Sequence, residues 1–598
     1  MSTMRRFDPR RDESGYALVA VLLTMLGLAL FAMLAMTTAV RAAVPSRSVG
    51  DVVTATAAAQ AGIEEYVARL AENSTYYNVN GTGDDASNKA FVVRRDGSSY
   101  GDGRDPRGVQ VPGSGTQGAY FRYQLLTSPT ETSRGGTIRL RVTGTTTSTA
   151  TRPAESRTLT ATLQQPGFLQ YIYVTDVEAV DPSLYNTATV SAAVNGSGTR
   201  YTNGGSPAFV AYADPSAVLT TCAKRYYEGR NAPTYQSSAS LPYWEQRYDY
   251  SNQAWRPTGG LTKSSDYGKK ITFACQNIQF GGGDVITGAL HSNDALLIGS
   301  SGTVTFQSPQ TESSWADSAT PAPAAGRRYW GAGTPIGTSP VYAPPLSLPK
   351  TNDDLRSYAG ADGTGCTYTG ETRITFVGAS MKVLSPGTTS TQSGCLSTAN
   401  RANEQTVPIP SVIYVKDSTA TCAFALGYPR SGEDTSGTTT QYDCKSGTAF
   451  VQGEVKGQVT VATERDIVVT GDLTYASGLT GSDVVGLIPN NFVWVYNPVN
   501  ASGNALAGYG GPVTIQAAIL SLQHSFLVQN WAEGARRGNL TVDGVIAQKY
   551  RGAVGTSGSP GTGFTKAYSY DERLRYLPPP YFLTPESTPW SAVRVTDG

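Results

Sequence analysis

Residues 15–40 read GYALVAVLLTMLGLALFAMLAMTTAV and contain no charged side chain. At about 1.5 Å of rise per residue, a helix of this length can cross a hydrocarbon core of about 30 Å. The segment 1–14 before it is polar, and the chain after Arg41 has no second apolar run of comparable length. The sequence therefore predicts one transmembrane helix that carries one large polar body.

The arginines around this run predict its orientation. Four of them precede the run and two follow it, namely Arg5, Arg6, Arg10, Arg11, Arg41 and Arg47. Because positively charged flanks stay in the cytoplasm, a cytoplasmic N-terminus and an exported body are predicted, in a single-pass inner-membrane protein. A cleaved secretory signal ending near Ala-Val-Arg-Ala-Ala (39–43) is the alternative, but its apolar core would be shorter than this run.

The composition of the 598-residue chain favours many short strands in more than one domain. The chain contains 65 glycines, 34 prolines and 34 tyrosines, which is typical of strands joined by tight turns. Charged residues make up 16% of the chain, the formal net charge is +1, and no Lys/Arg block follows the N-terminal segment. A nucleic-acid-binding protein needs a basic surface, so no nucleic-acid partner is predicted.

All six cysteines lie in the part predicted to be exported: Cys222, Cys275, Cys366, Cys395, Cys422 and Cys444. An even number of cysteines in an oxidising compartment predicts disulfides. Sequential pairing is the simplest arrangement, although other connectivities stay open. No CxxC occurs, and neither His291 nor His524 neighbours a cysteine, so no metal site is predicted.

Helical character continues after the apolar run. Residues 51–70, DVVTATAAAQAGIEEYVARL, place a stripe of side chains at three- and four-residue spacings: Val53, Ala57, Gln60, Ile63, Val67 and Leu70. Strands with alternating apolar and polar residues follow at 119–126, 137–142 and 157–163. These strands are predicted to form a small antiparallel sheet that packs on the helix.

The start of the chain resembles a type IV prepilin of the large minor pilin or pseudopilin type. Acidic residues precede Gly15, aromatic Tyr16 follows it, and an Ala-rich helix comes after the apolar run. The resemblance implies cleavage after Gly15 by a prepilin peptidase, N-methylation of Tyr16, and assembly with other pilins through the N-terminal helix. Ala20 stands where most pilins carry a glutamate, which implies a minor subunit rather than the main one.

The larger part of the body is predicted to be a parallel β-helix. Three similar triplets, Val459-Thr-Val, Val513-Thr-Ile and Leu540-Thr-Val, start at intervals of which the first is twice the second. Such spacing is typical of stacked rungs, although Val304-Thr-Phe does not fit the multiple. A β-sandwich is the alternative.

The predicted fold class is accordingly mostly β, with one long N-terminal transmembrane α-helix and a pilin-like start. The predicted domains are a prepilin leader (1–15), a transmembrane and assembly helix (16–72), a small antiparallel β domain (73–165), a β-rich body with disulfide-stapled loops (166–550) and a C-terminal cap or tail (551–598). The aromatic and basic C-terminal sequence, 563–582, is expected to cap the open end of the β-helix, with binding of a carbohydrate or acidic partner as the alternative.

The sequence offers little catalytic chemistry, and no enzyme activity or cofactor is predicted. The GxGxxG match at 113–118 precedes a strand and the GxSxG match at 97–101 precedes no helix, so each lacks the context that its function needs. His291 and His524 are interpreted as rung or corner residues. Acidic pairs such as Asp353/Asp354 and Glu433/Asp434 leave open an anchored β-helix glycosidase or lyase.

The sequence thus predicts a minor pilin or pseudopilin of a type IV pilus or type II secretion-like filament. Its body would be displayed on the pilus or cell surface for adhesion or to prime assembly, possible ligands being a carbohydrate or another cell-surface molecule. An anchored surface protein outside any filament is a further alternative.

Overall fold

The structure is a computed structural model that describes residue 25 and most of residues 48–598. The described ranges are 48–83, 85–115, 118–148, 153–165, 167–184, 222–230, 275, 277–281, 284–299, 303–308, 310–337, 339–361, 364–419, 426–435, 442–556, 560–586 and 590–598, with short strands between 193 and 272.

The prediction of a fold with a transmembrane helix is corrected by the structure. Among the described residues, no helix is long and apolar enough to cross a membrane. The run 16–40 lies outside them except for Met25. The long described helix, α1 (Ser48–Glu72), carries Asp51 and Arg69 and buries one side only, as a helix on a sheet surface does. The predicted single-pass inner-membrane localisation rested on the same run and is corrected with it.

The first unit is a helix on an antiparallel sheet, which we call the head (48–165 and 590–598). Its five strands lie in the order β1-β2-β3-β4-β37, and α2 (Pro129–Gly135) joins β2 to β3. The strands are β1 (Val109–Gln110), β2 (Ala119–Leu125), β3 (Thr137–Thr146), β4 (Ser156–Gln164) and β37 (Ser591–Asp597). The predicted helix and its three strands are confirmed, whereas the fifth strand from the C-terminus was not predicted.

The second unit is a parallel coil with three sheets, which we call the solenoid (168–570). In the order in which the strands pair, sheet A contains β23 (Gly365–Thr369), β27 (Val412–Lys416), β29 (Gln458–Thr463), β31 (Val484–Pro489), β33 (Val513–Ser521), β35 (Asn539–Tyr550), β5 (Tyr173–Val177), β16 (Leu290–Ser292), β19 (Thr311–Ser313) and β22 (Val341–Tyr342). Every one of these pairings is parallel, as in a β-helix rather than a sandwich.

Sheets B and C complete each turn. Sheet B contains β24 (Thr372–Gly378), β28 (Ala449–Val455), β30 (Ile467–Tyr475), the first parts of β33 and β35, β36 (Thr565–Tyr570), β15 (Val285–Ile286), β18 (Val304–Phe306) and β21 (Pro335–Gly337). Sheet C contains the first parts of β28 and β30, then β32 (Val493–Val495) and β34 (Phe526–Val528), with β17 (Leu296–Leu297) paired to β20 (Tyr329–Trp330) further along.

The remaining elements are short. β25 (Ser380–Leu384) and β26 (Gln405–Pro408) extend β24 in antiparallel fashion at one end of the coil. Helix α3 (Asp353–Ala359) lies on sheet A. Antiparallel pairs are made by β6 (Ala193–Val194), β7 (Thr202–Asn203), β8 (Ser206–Pro207), β9 (Thr234–Gln236), β10 (Pro242–Tyr243), β11 (Gln246–Asp249), β12 (Ala254–Pro257), β13 (Thr262–Lys263) and β14 (Lys270–Thr272).

The order of strands shows that the solenoid is made of two blocks. One block runs from β23 to β36 and the other from β5 to β22, and they meet where β35 pairs in parallel with β5. Next to this contact, Ser569 of β36 pairs with Thr287. We call this contact the seam. A single turn at the seam is therefore built from residues near both ends of the solenoid sequence.

The triplets proposed as rung repeats are only partly equivalent. Val513 pairs with Leu540 in sheet B, as predicted. Val459 instead pairs with Val485 in sheet A, so it occupies another side of the coil. Val304-Thr-Phe forms β18 of sheet B, although its spacing did not fit. Insertions at the corners vary in length, and they hide the period.

Two of the three sheets are covered on the outside. The outward side chains of sheet A, such as Tyr414 and Leu520, pack under 346–359 and under the strap (571–585), which contributes Leu574 and Phe582. Sheet C is covered by residues around Tyr428. The 563–582 sequence thus forms β36 and then a strap along a side, and the expectation that it caps an open end is wrong.

Candidate functional site

The candidate functional site is the region of the head where α1 meets its sheet. Ala55, Ala59, Ile63, Tyr66 and Leu70 of α1 are buried there. The predicted buried stripe does not coincide with the side of α1 that is buried, since Ala57 and Gln60 of that stripe are exposed. Alanines form the start of the buried row, and the larger Ile63, Tyr66 and Leu70 form its end.

Two glycines allow α1 to approach the sheet closely. A Cβ on Gly144 of β3 would lie 1.9 Å from the carbonyl oxygen of Ala55 and 2.5 Å from the amide nitrogen of Ala59. A Cβ on Gly62 of α1 would lie 2.7 Å from Val142 and 2.8 Å from Phe121. Real side-chain atoms do not reach such distances, so any larger residue would push the helix away from the sheet.

A polar network fixes the C-terminal half of α1. The Tyr123 hydroxyl donates a hydrogen bond to Glu65 Oε2 at 3.0 Å, and Arg69 Nε pairs with Glu65 Oε1 at 2.5 Å. The Tyr76 hydroxyl donates to Asp85 Oδ2 at 2.9 Å. Burial, and to a lesser extent the Asp85 carboxylate, raises the pKa of Tyr76 to about 12. The network sets the rotation of the helix on the sheet.

The N-terminal end of α1 is less buried than the rest of the helix. A Cβ on Gly50 would meet no atom within 4 Å outside the backbone of its own helix, residues 51–53 are half-buried, and Thr54 is exposed. Gly15 and Tyr16, the predicted processing site, lie outside the described residues. Cleavage and methylation there stay predictions.

The C-terminal strand β37 completes the head. It pairs antiparallel with β4, from Ser591 opposite Gln164 to Asp597 opposite Leu159. The Trp590 indole N–H donates to the carbonyl oxygen of Ser74 at 3.0 Å. The alternation of SAVRVTD is typical of a strand, but nothing local in the sequence indicated that its partner lies more than 400 residues earlier.

Two of the predicted disulfides are confirmed by the structure. Cys222 pairs with Cys275 and Cys366 with Cys395, with Cα–Cα distances of 5.4 and 5.8 Å. Cys444 is also disulfide-bonded, and its predicted partner, Cys422, lies outside the described residues.

Both histidines occupy strand and corner positions. His291 lies in β16 with Nδ1 2.9 Å from Glu312 Oε2 and Nε2 3.0 Å from the side-chain oxygen of Asn293. Although burial opposes the shift, hydrogen bonds from His291 and Tyr171 hold the pKa of Glu312 below its usual value. His524 lies 2.6 Å from Asp181 Oδ2. Its ring stacks on Phe492 with 4.3 Å between the ring centres.

One member of each acidic pair singled out in the sequence, Glu433 and Asp353, accepts local hydrogen bonds. Glu433 accepts hydrogen bonds from Tyr442, Tyr496 and Gln529, which fixes the cover over sheet C. Asp353 begins α3, where it accepts a hydrogen bond from Thr351 at 3.0 Å. Within the described residues, no group of three or more His, Cys, Asp or Glu side chains could hold a metal ion.

The structure also contains a buried ionic cluster at the seam that the sequence did not indicate. Arg551 Nη1 lies 3.1 Å from Glu178 Oε2, and both side chains are almost fully buried. Asp294 pairs with Arg230 and accepts a hydrogen bond from the Glu178 amide at 2.9 Å. Burial and the nearby Arg551 lower the pKa of Lys566 to about 8. These residues are far apart in the sequence, and only the stacking of the two blocks brings them together.

Comparison with known proteins adds little to this geometry. No protein-family model matches the chain, and no curated protein matches it. A solved structure described as the competence-associated pilin ComZ from Thermus thermophilus aligns over 91% of this chain and 97% of its own, with 11% identity and a TM-score of 0.25. At that TM-score the alignment carries no argument about fold or function.

Proposed function

We propose that this chain is a minor, pilin-like subunit of a type IV pilus or of a type II secretion-like filament, processed between Gly15 and Tyr16 by a prepilin peptidase. The solenoid would be the displayed part, for adhesion or to prime assembly. The observation that carries the proposal is the head. A helix that lies on an antiparallel sheet, with an exposed Gly50 in its first turn, follows in the sequence on a segment that resembles a prepilin signal.

The connection between head and solenoid supports a display role. The chain leaves β4, passes the 3-10 helix Phe168–Gln170 and enters the solenoid at β5, and it returns to the head through β37. The solenoid is therefore joined to the head by two chain segments, one that follows β4 and one that precedes β37. Two backbone connections suit a domain that must stay attached to a filament subunit.

Substitution of Gly15 tests the proposal. Gly15→Leu should leave the protein heavier by the mass of residues 1–15, without N-methylation of Tyr16, and should remove it from sheared filaments. Gly50→Leu is the matched control, because Gly50 is exposed, a Cβ there would meet no atom within 4 Å outside its own helix backbone, and the position lies outside the signal. Intact mass and immunoblots of the sheared fraction give the readout. An unchanged mass and unchanged filament content in Gly15→Leu would refute the proposal.

A further inference from the structure

The outer face of the head sheet, on the side away from α1, is rich in arginine. Along β2, β3 and β4, buried residues that face α1 alternate with residues that face outward. The outward residues, including those of β37, are Tyr120, Arg122, Gln124, Thr137, Arg139, Arg141, Thr143, Thr145, Ser156, Thr158, Thr160, Thr162, Gln164, Arg594 and Thr596. This set contains four arginines and no carboxylate.

The strand register brings the four arginines into one patch. Arg139 lies opposite Thr162, which in turn lies opposite Arg594. Arg141 lies opposite both Gln124 and Thr160. Arg122 lies opposite Thr143, four residues along β3 from Arg139. With strands about 4.8 Å apart and outward residues about 7 Å apart along a strand, the Cα atoms of the four arginines lie within an area about 20 Å across. Rows of threonine hydroxyls fill the space between them.

The charge of this patch is not neutralised by the described parts of the chain. Arg122 donates to the carbonyl oxygen of Pro106 at 2.7 Å, and Arg141 donates to Gln124 Oε1 at 3.2 Å, so both are held by neutral acceptors. Neither they nor Arg139 and Arg594 form an ion pair with a described carboxylate. At the edge of the same sheet, by contrast, Arg107 pairs with Asp105 at 2.7 Å.

We propose that this arginine face binds a linear acidic polysaccharide. Guanidinium groups bind carboxylates in a bidentate manner, and the threonine and glutamine side chains between them match the hydroxyl groups of the sugar rings. A single-stranded nucleic acid is disfavoured because it needs exposed aromatic side chains for base stacking, and Tyr120, the one aromatic residue here, is covered by the Arg107 guanidinium at 3.9 Å from the ring centre. A flat sheet also offers no helix or ribbon to enter a DNA groove.

This inference goes beyond the proposed function, because it assigns a ligand to the head instead of the displayed solenoid. It does not require filament assembly. The absence of a Lys/Arg block in the sequence led to the prediction of no nucleic-acid partner, and it gave no sign of this basic face. In a strand, alternation spreads basic residues through the sequence, and a sheet gathers them on one face.

Binding of the purified full chain to polygalacturonate tests the proposal, with non-ionic detergent present because of the apolar run. Affinity electrophoresis should show retardation by polygalacturonate and none by neutral dextran, and added salt should weaken the retardation because exposed charges are screened. The double variant Arg139→Gln/Arg141→Gln should weaken binding by at least tenfold. Lys445→Gln/Lys456→Gln removes the same charge from exposed positions on the solenoid and is the matched control.

Three outcomes would overturn the proposal. Absence of binding by the unmodified chain, or equal loss in both double variants, would exclude a specific arginine face. Equal or tighter binding of single- or double-stranded DNA under the same salt would assign the face to a nucleic acid instead. The variant Arg139→Lys/Arg141→Lys keeps the charge and the fold, so a loss of affinity in it would further support bidentate recognition.

Discussion

Glu371 is a buried carboxyl at the corner between β23 and β24, and only 6% of its surface is exposed. It accepts a hydrogen bond from the Asp443 amide at 3.0 Å, next to disulfide-bonded Cys444. Burial raises the pKa of Glu371 from 4.5 to about 7, a shift that the Asp443 amide only partly opposes. The folded protein therefore binds this proton more tightly than the unfolded chain does.

The raised pKa of Glu371 predicts a loss of stability as the pH rises. Between about pH 4.5 and 7, the folded state holds a proton that the unfolded state has released, so the free energy of unfolding should fall by up to about 3 kcal/mol over this window. Glu371→Gln should remove this dependence and stabilise the protein at pH 8. Urea unfolding at pH 5 and pH 8 measures both; equal pH dependence in the variant and the unmodified chain would contradict it.

At the scale of single elements, the solenoid sheets differ in how far their outward side chains are buried. On sheet C, the outward row Phe450, Val468, Trp494 and Leu527 is buried under the cover around Tyr428, while the inward row belongs to the central core. On sheet B the outward side is bare, and Val377 of β24 is 52% exposed. Burial on both faces explains why β32 reads as a continuous apolar strand.

Trp494→Ala should therefore destabilise the solenoid by about 3–5 kcal/mol, because it leaves a large cavity between β32 and its cover. Val377→Ala, on the bare outward side of sheet B, should change stability by less than about 0.5 kcal/mol. Urea unfolding monitored by circular dichroism gives the two values. Similar costs for both substitutions would mean that the cover over sheet C contributes no packing energy.

Sequence patterns identified those elements whose neighbours in the fold are also neighbours in the chain. Alternation located β2, β3 and β4, and residue spacing located α1, although the buried side was misplaced because alanines at Ala55 and Ala59 carry little apolar signal. The pairing of β37 with β4 and of β35 with β5 depends on long-range contacts that leave no local pattern. The arginine face was missed for a related reason, since its residues come from three separate strands.

At the scale of the whole molecule, the seam contains a buried ion pair that holds the two blocks together. Glu178 follows β5 and Arg551 follows β35, and their side chains have 0% and 3% exposure. The Arg551 guanidinium also lies 3.6 Å from the centre of the Phe280 ring. Removal of either partner leaves the other charge buried without its counter-ion, which costs far more than loss of a surface pair.

Glu178→Gln should lower the free energy of unfolding by about 3–5 kcal/mol, because Arg551 loses its counter-ion. Arg356→Gln, which breaks the exposed pair with Glu464, should cost less than about 1 kcal/mol. The double variant Glu178→Met/Arg551→Met should be less destabilised than the sum of its single variants. Strict additivity in this cycle would show that the two charges do not act as a pair.

The insertion of β5 between β35 and β16 has a mechanical consequence. A pull on the chain that leads from the head into the solenoid acts along the length of β5, whose two edges are both hydrogen-bonded to parallel neighbours. The backbone hydrogen bonds on both edges are then loaded together, in shear, and cannot open one after another. The second connection, through the strap and β37, takes part of the same load. A force applied through the head therefore acts on the middle of the solenoid, where the hydrogen bonds of β5 to β35 and to β16 oppose it together.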